Sequence, residues 1–197
     1  MAKFVQQGGK ICDSQTTVVI HFLDNSSKTV LADNGTTVGD VLEEVFGRLM
    51  ISDPNIVVDN FALYESSDGN LVGDRVANNE RVLNVQLSCA KIIMQFRLLL
   101  HSVPVSQCSM VRHLLYVQSL HYIITGYYYC SAEDATRLAA LCLLERYGVP
   151  DKSDDAVAQQ ISNISKHLFE LVPGSIIKQQ TSAEWTSQIF NIYNNLQ

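Results

Sequence analysis

The chain has 197 residues, 47% hydrophobic and 17% charged, with a formal net charge of −6. A chain of this length hides roughly 70% of its unfolded surface, so it folds as one large or two small domains without disulfide or metal staples. Residues 1–90 carry six Lys and Arg against twelve Asp and Glu, and residues 91–197 carry eight against eight, so neither half has the basic footprint that nucleic acid or stable attachment to an anionic membrane requires.

The opening, MAKFVQQGGK, has a Lys but no continuous apolar stretch behind it. It reads as a flexible start over residues 1–15, not as a secretory signal. Thr16 to Leu23, TTVVIHFL, alternates Val18, Ile20 and Phe22 against Val19 and His21, which is a strand. Asp24-Asn25-Ser26-Ser27 supplies turn chemistry, and Lys28 to Ala32 returns as the second strand of a hairpin, with Val30 and Ala32 on one face. Thr37 then sits where its hydroxyl caps a helix, with Asp40 three residues on reaching back. Val38, Val41, Leu42, Val45, Phe46 and Leu49 form one apolar stripe, leaving Glu43, Glu44 and Arg48 in water. FALYE, Phe61 to Glu65, is a third strand, and Ser66 to Asn70 is a turn before Leu71 and Val72. Hairpin, helix and further strands are the order of a β-grasp, placed at residues 16–90.

Ile92 to Leu100 puts Ile92, Met94, Phe96, Leu98 and Leu100 on one side, and residues 91–104 read as a linker strand against the first lobe, closed by Pro104. Gln95 and Arg97 interrupt this run, which falls short of the roughly 20 residues that span a bilayer. Four helices follow in residues 105–197. The first runs from about Ser106 to Thr125, with Met110, Leu114, Val117, His121 and Ile124 on one face and Gly126 as its stop. The second starts at Ser131, with Asp134 three residues on, and its stretch Leu138 to Leu144 is apolar almost all round. That pattern marks the centre of a bundle, where Leu141→Asp is expected to abolish folding. The third, Asp154 to Leu171, carries Val157, Ile161, Ile164, Leu168 and Leu171 and is broken by Pro173-Gly174; the fourth, Ser182 to Asn195, carries Trp185, Ile189 and Ile192. Short links between such helices imply a compact antiparallel bundle.

These phrases together resemble a FERM module. GTTVGDVLEEVFGRL is similar to the capped helix of the ubiquitin-like lobe, and FALYE followed by ERVLNVQ to its path from third strand to exit. LLYVQSLHYIITGYYYCSAEDATRLAALCLLERYG and LVPGSIIKQQTSAEWTSQIFNIYNNL are similar to the opening and closing parts of the second lobe. The flavour is nearest to talin heads and to the FERM modules that follow myosin-tail-homology domains in myosins and kinesins. The resemblance implies an α+β fold: a ubiquitin-like β-grasp lobe followed by an all-α helical bundle like that of acyl-CoA-binding protein. It also implies a third lobe, and the chain ends where that lobe would start.

The function implied is that of a cytoplasmic, non-catalytic adaptor, at the boundary of membrane and cytoskeleton, linking membrane proteins or cargo to actin or to a motor tail. An alternative is a ubiquitin-like module for small GTPases, for which Lys28 on the second strand is the candidate edge residue, although Asp24 and Asp33 flank it. Glu43 and Glu44 are the candidate acidic surface for a basic protein partner. Lys166 and Lys178 resemble the lysines with which talin's second lobe holds acidic phospholipid, a weak contact with only two charges. Nothing points to catalysis. His21, His101, His113, His121 and His167 are scattered, and no phosphate loop or nucleophile elbow occurs. Cys12, Cys89, Cys108, Cys130 and Cys142 contain no Cys-x-x-Cys pair and read as buried thiols, so no metal or cofactor is expected. Tyr127 to Tyr129, between two helices, read as core aromatics.

Overall fold

A computed structural model of the chain describes residues 15–51, 53, 55–67, 72–97 and 108–196. The chain divides into two compact units, Met1–Gln118 and Ser119–Gln197.

The first unit is built on a four-stranded sheet in the order β2-β1-β4-β3, from β1 (Thr16–His21), β2 (Ser27–Ala32), β3 (Phe61–Ser66) and β4 (Lys91–Phe96). The hairpin β1–β2 pairs antiparallel with Val18 opposite Val30, and Asn25 at φ 65° makes its turn. Helix α1 (Val38–Arg48) begins as its sequence predicts: the Thr37 hydroxyl accepts from the Asp40 N–H at 3.2 Å, and the Asp40 carboxylate accepts from the Thr37 N–H at 2.8 Å. Its apolar stripe covers the sheet, and the Phe61 ring lies 5.5 Å from Phe46 and 4.2 Å from Phe96. Of the turn expected over Ser66 to Asn70, Ser66 instead ends β3, and residues 68–70 lie outside the described residues. Beyond it, Gly73, Asp74 and Val76 bond back to Glu65 and Leu63 along the outer side of β3.

Two features of this lobe differ from the sequence reading. A short helix, α2 (Val82–Ser88), buries Val82 and Val85 where the sequence showed only an exit path. The strand expected over 92–100 is described as far as Phe96, and it is an inner strand, parallel to β1 and antiparallel to β3. Ile92, Met94 and Phe96 enter the core as their alternation requires, but Ile93 and Gln95 on the other face are buried as well. The pairing of β1 with β4 stops at His21. Where β1 has ended, the side-chain amide of Gln118 accepts from the Phe96 N–H at 2.9 Å and donates to the Phe96 carbonyl at 3.0 Å. A glutamine from helix α3 (Ser109–Ile124) thus completes the ladder of a strand.

The second unit begins inside α3 and holds α4 (Ala132–Tyr147), α5 (Asp154–Lys166), α6 (Leu168–Leu171) and α7 (Ser182–Asn195). Ser131 caps α4 through the Asp134 N–H at 3.1 Å, and Thr181 and Glu184 form a reciprocal capping pair on α7. The buried face of α3 is Val111, Leu114 and Gln118, a face rotated from the one the apolar spacing suggested. The third predicted helix is two, because His167 leaves helical geometry with ψ 20° before α6 starts. Helix α7, not α4, is the centre of the lobe: it packs against α4, α5 and α6, with Trp185, Ile189 and Tyr193 fully buried and Ile192 half-buried. The Trp185 indole donates to the Ile177 carbonyl at 2.9 Å, and the Tyr193 hydroxyl to the Gly148 carbonyl at 2.8 Å. Leu141 is 51% exposed on α4, whose buried positions are Ala135, Thr136, Ala139, Ala140, Cys142 and Leu143. The expectation that Leu141 is core is therefore wrong. An apolar run longer than one helical face includes residues that the packed stripe does not need.

Candidate functional site

The acidic candidates sit on the outer face of α1. Glu43 and Glu44 are both exposed. Arg48, one turn after Glu44, pairs with its carboxylate and donates also to the Thr29 carbonyl of β2. That bridge brings Glu44 beside the strand bearing Lys28, so the two candidates on the first lobe lie on adjoining elements. β2 is an edge strand of the sheet, with Lys28, Thr29 and Leu31 exposed on it. Lys166, in the last turn of α5, and Lys178, in the 3₁₀ turn Ile177–Gln179, are both exposed and form no ion pair among the described residues. They lie on different elements of the second lobe.

The histidines form no common centre. His113 meets Asp24 at 2.7 Å. Burial pushes the Asp24 carboxyl up, but hydrogen bonds from Ser26 and His113 outweigh it and hold the group below the ordinary carboxylate range. His167 and Arg146 both reach Glu170, at 3.0 and 3.1 Å, and the bond from His167 leads in holding that carboxyl low. Burial lowers His121, and burial with the nearby Lys91 charge lowers His21. Among the described residues no group of three His, Cys, Asp or Glu side chains is placed to hold a metal, and no helix is long and apolar enough to cross a membrane. Cys130 and Cys142 are buried thiols; Cys89 and Cys108 are half-buried, and Cys12 lies outside the described residues. Burial pushes the Cys89 and Cys130 thiols up, away from nucleophilic use.

The structure also overturns the reading of the tyrosine run. Gly126, at φ 81°, turns the chain out of α3, and Tyr127 and Tyr129 are 78% and 92% exposed, with Tyr128 half-exposed. Tyr122, on the last turn of α3, supports them with ring centroids 5.2 Å from Tyr127 and 5.4 Å from Tyr128. Residues in a turn have no helical period to aim them at a core. Gly126 immediately before the run was the signal that could have shown this. A second site had no signal in the sequence. A cleft of about 330 Å³ lies between α4, α5 and α7, lined by Leu143, Tyr147, Asp151, Gln160, Ile164 and Tyr193 among others.

Comparison with known proteins agrees with this architecture. Residues 14–101 match the model of the RA like domain and residues 101–197 that of the FERM central domain. A kinesin-like protein, KIN-14I of Oryza sativa subsp. japonica, is 27% identical over 201 residues, covering 90% of this chain and 15% of its own. The Dictyostelium discoideum myosin VII MyTH4-FERM MF2 domain superposes with a TM-score of 0.69 at 15% identity, over 93% of this chain and 38% of that one. The human myosin 7b C-terminal MyTH4-FERM domain, solved in complex with the harmonin-a PDZ3 domain, gives a TM-score of 0.65 at 21% identity, over 92% and 38%. The chain spans well under half the length of each of these three.

Proposed function

We propose that this chain, which carries a FERM central domain behind an RA like domain, is a non-catalytic protein-interaction module that joins membrane proteins or cargo to the actin cytoskeleton or a motor tail. The observation that carries the reading is the exposed aromatic run Tyr127–Tyr129. Tyrosine combines a large apolar contact area with a hydroxyl that tolerates water, so an exposed cluster of it is a surface suited to a protein partner. The exposed carboxylates Glu43 and Glu44 favour a partner with a basic face. The protein partner that accompanies the human myosin 7b relative supports the same class of function.

The test is comparative capture from native cytosol by the wild-type chain, by Glu43→Lys/Glu44→Lys and by Tyr127→Ser/Tyr129→Ser. All substituted side chains are exposed, so each variant keeps its fold by circular dichroism. Proteins retained by the wild type and lost from a variant are expected; an identical set bound by all three refutes the reading.

A second reading has its own observations, the RA like match and the open edge of β2. An acidic GTPase surface would add along that edge, with Lys28 as the facing charge. Lys28→Glu is then expected to abolish binding of a GTP-loaded Ras-type protein, and no binding by the wild type would exclude it.

A further inference from the structure

We propose that the cleft between α4, α5 and α7 is a receptor for the arginine side chain of a basic partner segment. Its volume, about 330 Å³, stands at the small end of ligand pockets, which suits one long side chain better than an extended ligand. Leu143 and Ile164 give it an apolar wall, and the rings of Tyr147 and Tyr193 line the same space. Tyr193 is fixed by its bond to the Gly148 carbonyl. An apolar stem and a flat guanidinium fit such a wall, the stem by contact and the guanidinium by stacking on a ring.

The polar groups select the charge. Gln160 donates its Nε2 to the Asp151 carbonyl at 3.1 Å, which fixes the orientation of the amide and leaves Oε1 buried with no donor. A buried acceptor in that state is unfavourable until a donor arrives. Asp151 lies at the mouth, one oxygen accepting from the Ser153 N–H at 2.9 Å. Asp154 and Asp155 open α5 just beyond, with Lys152 between them and Asp151 in the chain. The planar fork of a guanidinium offers donors to both the Asp151 carboxylate and the Gln160 amide, two groups that line the same cleft, as the single ammonium of lysine does not. Entry turns aside the groups that cover Oε1, so binding and a local rearrangement go together.

The inference takes from the proposed function only that the arginine belongs to a protein. The probe is N-acetyl-arginine amide, titrated into the full chain beside its lysine and citrulline counterparts and followed by the amide shifts of Asp151 and Gln160. The arginine compound is expected to bind at least fivefold more tightly than either counterpart, and Asp151→Asn, an exposed substitution that keeps the cap on Ser153, to weaken it at least fivefold. Equal binding of arginine and citrulline compounds, shifts unchanged at both residues, or no effect of Asp151→Asn overturns the proposal. The two readings fail separately: arginine binding that survives Glu43→Lys/Glu44→Lys leaves the cleft intact whatever capture shows, and selective capture that persists in Asp151→Asn with no response to the probe removes the cleft alone.

Discussion

Replacing Gln118 by methionine tests the central structural claim about the first lobe. Gln118 is 2% exposed, and its amide makes two bonds to Phe96 in place of the strand that β1 no longer provides. Methionine keeps the length and most of the volume but can offer neither group. The Phe96 N–H and carbonyl are then left in the interior, each at a cost of about 1–3 kcal/mol, against which the more apolar side chain returns about 1 kcal/mol. The net loss is about 3 kcal/mol, which for a chain of this size lowers Tm by about 6–12 °C. Urea unfolding of the full chain measures the first quantity, and hydrogen exchange at the Phe96 amide locates it. Gln86→Met is the control, because Gln86 makes one exposed bond, 3.3 Å to the Thr17 carbonyl, and its loss is expected to cost under about 0.5 kcal/mol. If Gln118→Met unfolds within about 0.5 kcal/mol of the wild type, or Phe96 exchange is unchanged, the amide is not completing the ladder.

On α4, Leu141→Asp is expected to cost under about 0.5 kcal/mol, whereas Leu143→Asp, which buries an unpaired carboxylate, costs more than about 4 kcal/mol and unfolds the lobe; thermal melts followed by Trp185 fluorescence separate the two, and equal effects would remove the assigned core face. His113→Ala takes away one of the bonds that hold Asp24 low, so the carboxyl titration moves up toward 3.8 by NMR. Because the folded pKa is depressed, the stabilisation from Asp24 is present above 3.8 and lost as pH falls through the folded value, and the variant loses part of it. An unmoved Asp24 titration would show that Ser26 alone sets it. For lipid, Lys166→Ala/Lys178→Ala is expected to remove a weak, salt-sensitive association with phosphatidylserine vesicles worth about 1 kcal/mol per lysine; cosedimentation that is the same in wild type and variant excludes these residues.

The sequence by itself determined the elements with a strong local signal, and missed the short helix α2 and the break at His167. The Thr37–Asp40 and Ser131–Asp134 caps, the alternation of Val18, Ile20 and Phe22, and the stop at Gly126 depend on neighbours within one turn or one strand, and the residues spell them out. The order of those elements narrowed the fold, and phrases such as GTTVGDVLEEVFGRL and LLYVQSLHYIITGYYYC carried the resemblance to a FERM module, whose central-domain model matches residues 101–197. Tertiary structure decided what depends on partners distant in the chain. Apolar content made Leu141 and Tyr127–Tyr129 look internal, but burial is a property of which face is covered, and on α4, which packs against α6 and α7, the buried face includes Ala139, Ala140 and Leu143 instead. β4 is central because β1 and β3 both reach it across 72 and about 30 residues of chain, and the role of Gln118 exists only once β1 stops short of Phe96. The cleft beside Gln160 is in part of the same kind: Asp151 lies just before α5 and Gln160 within it, but the wall they face includes residues of α4 and α7, which meet them only when the bundle has closed.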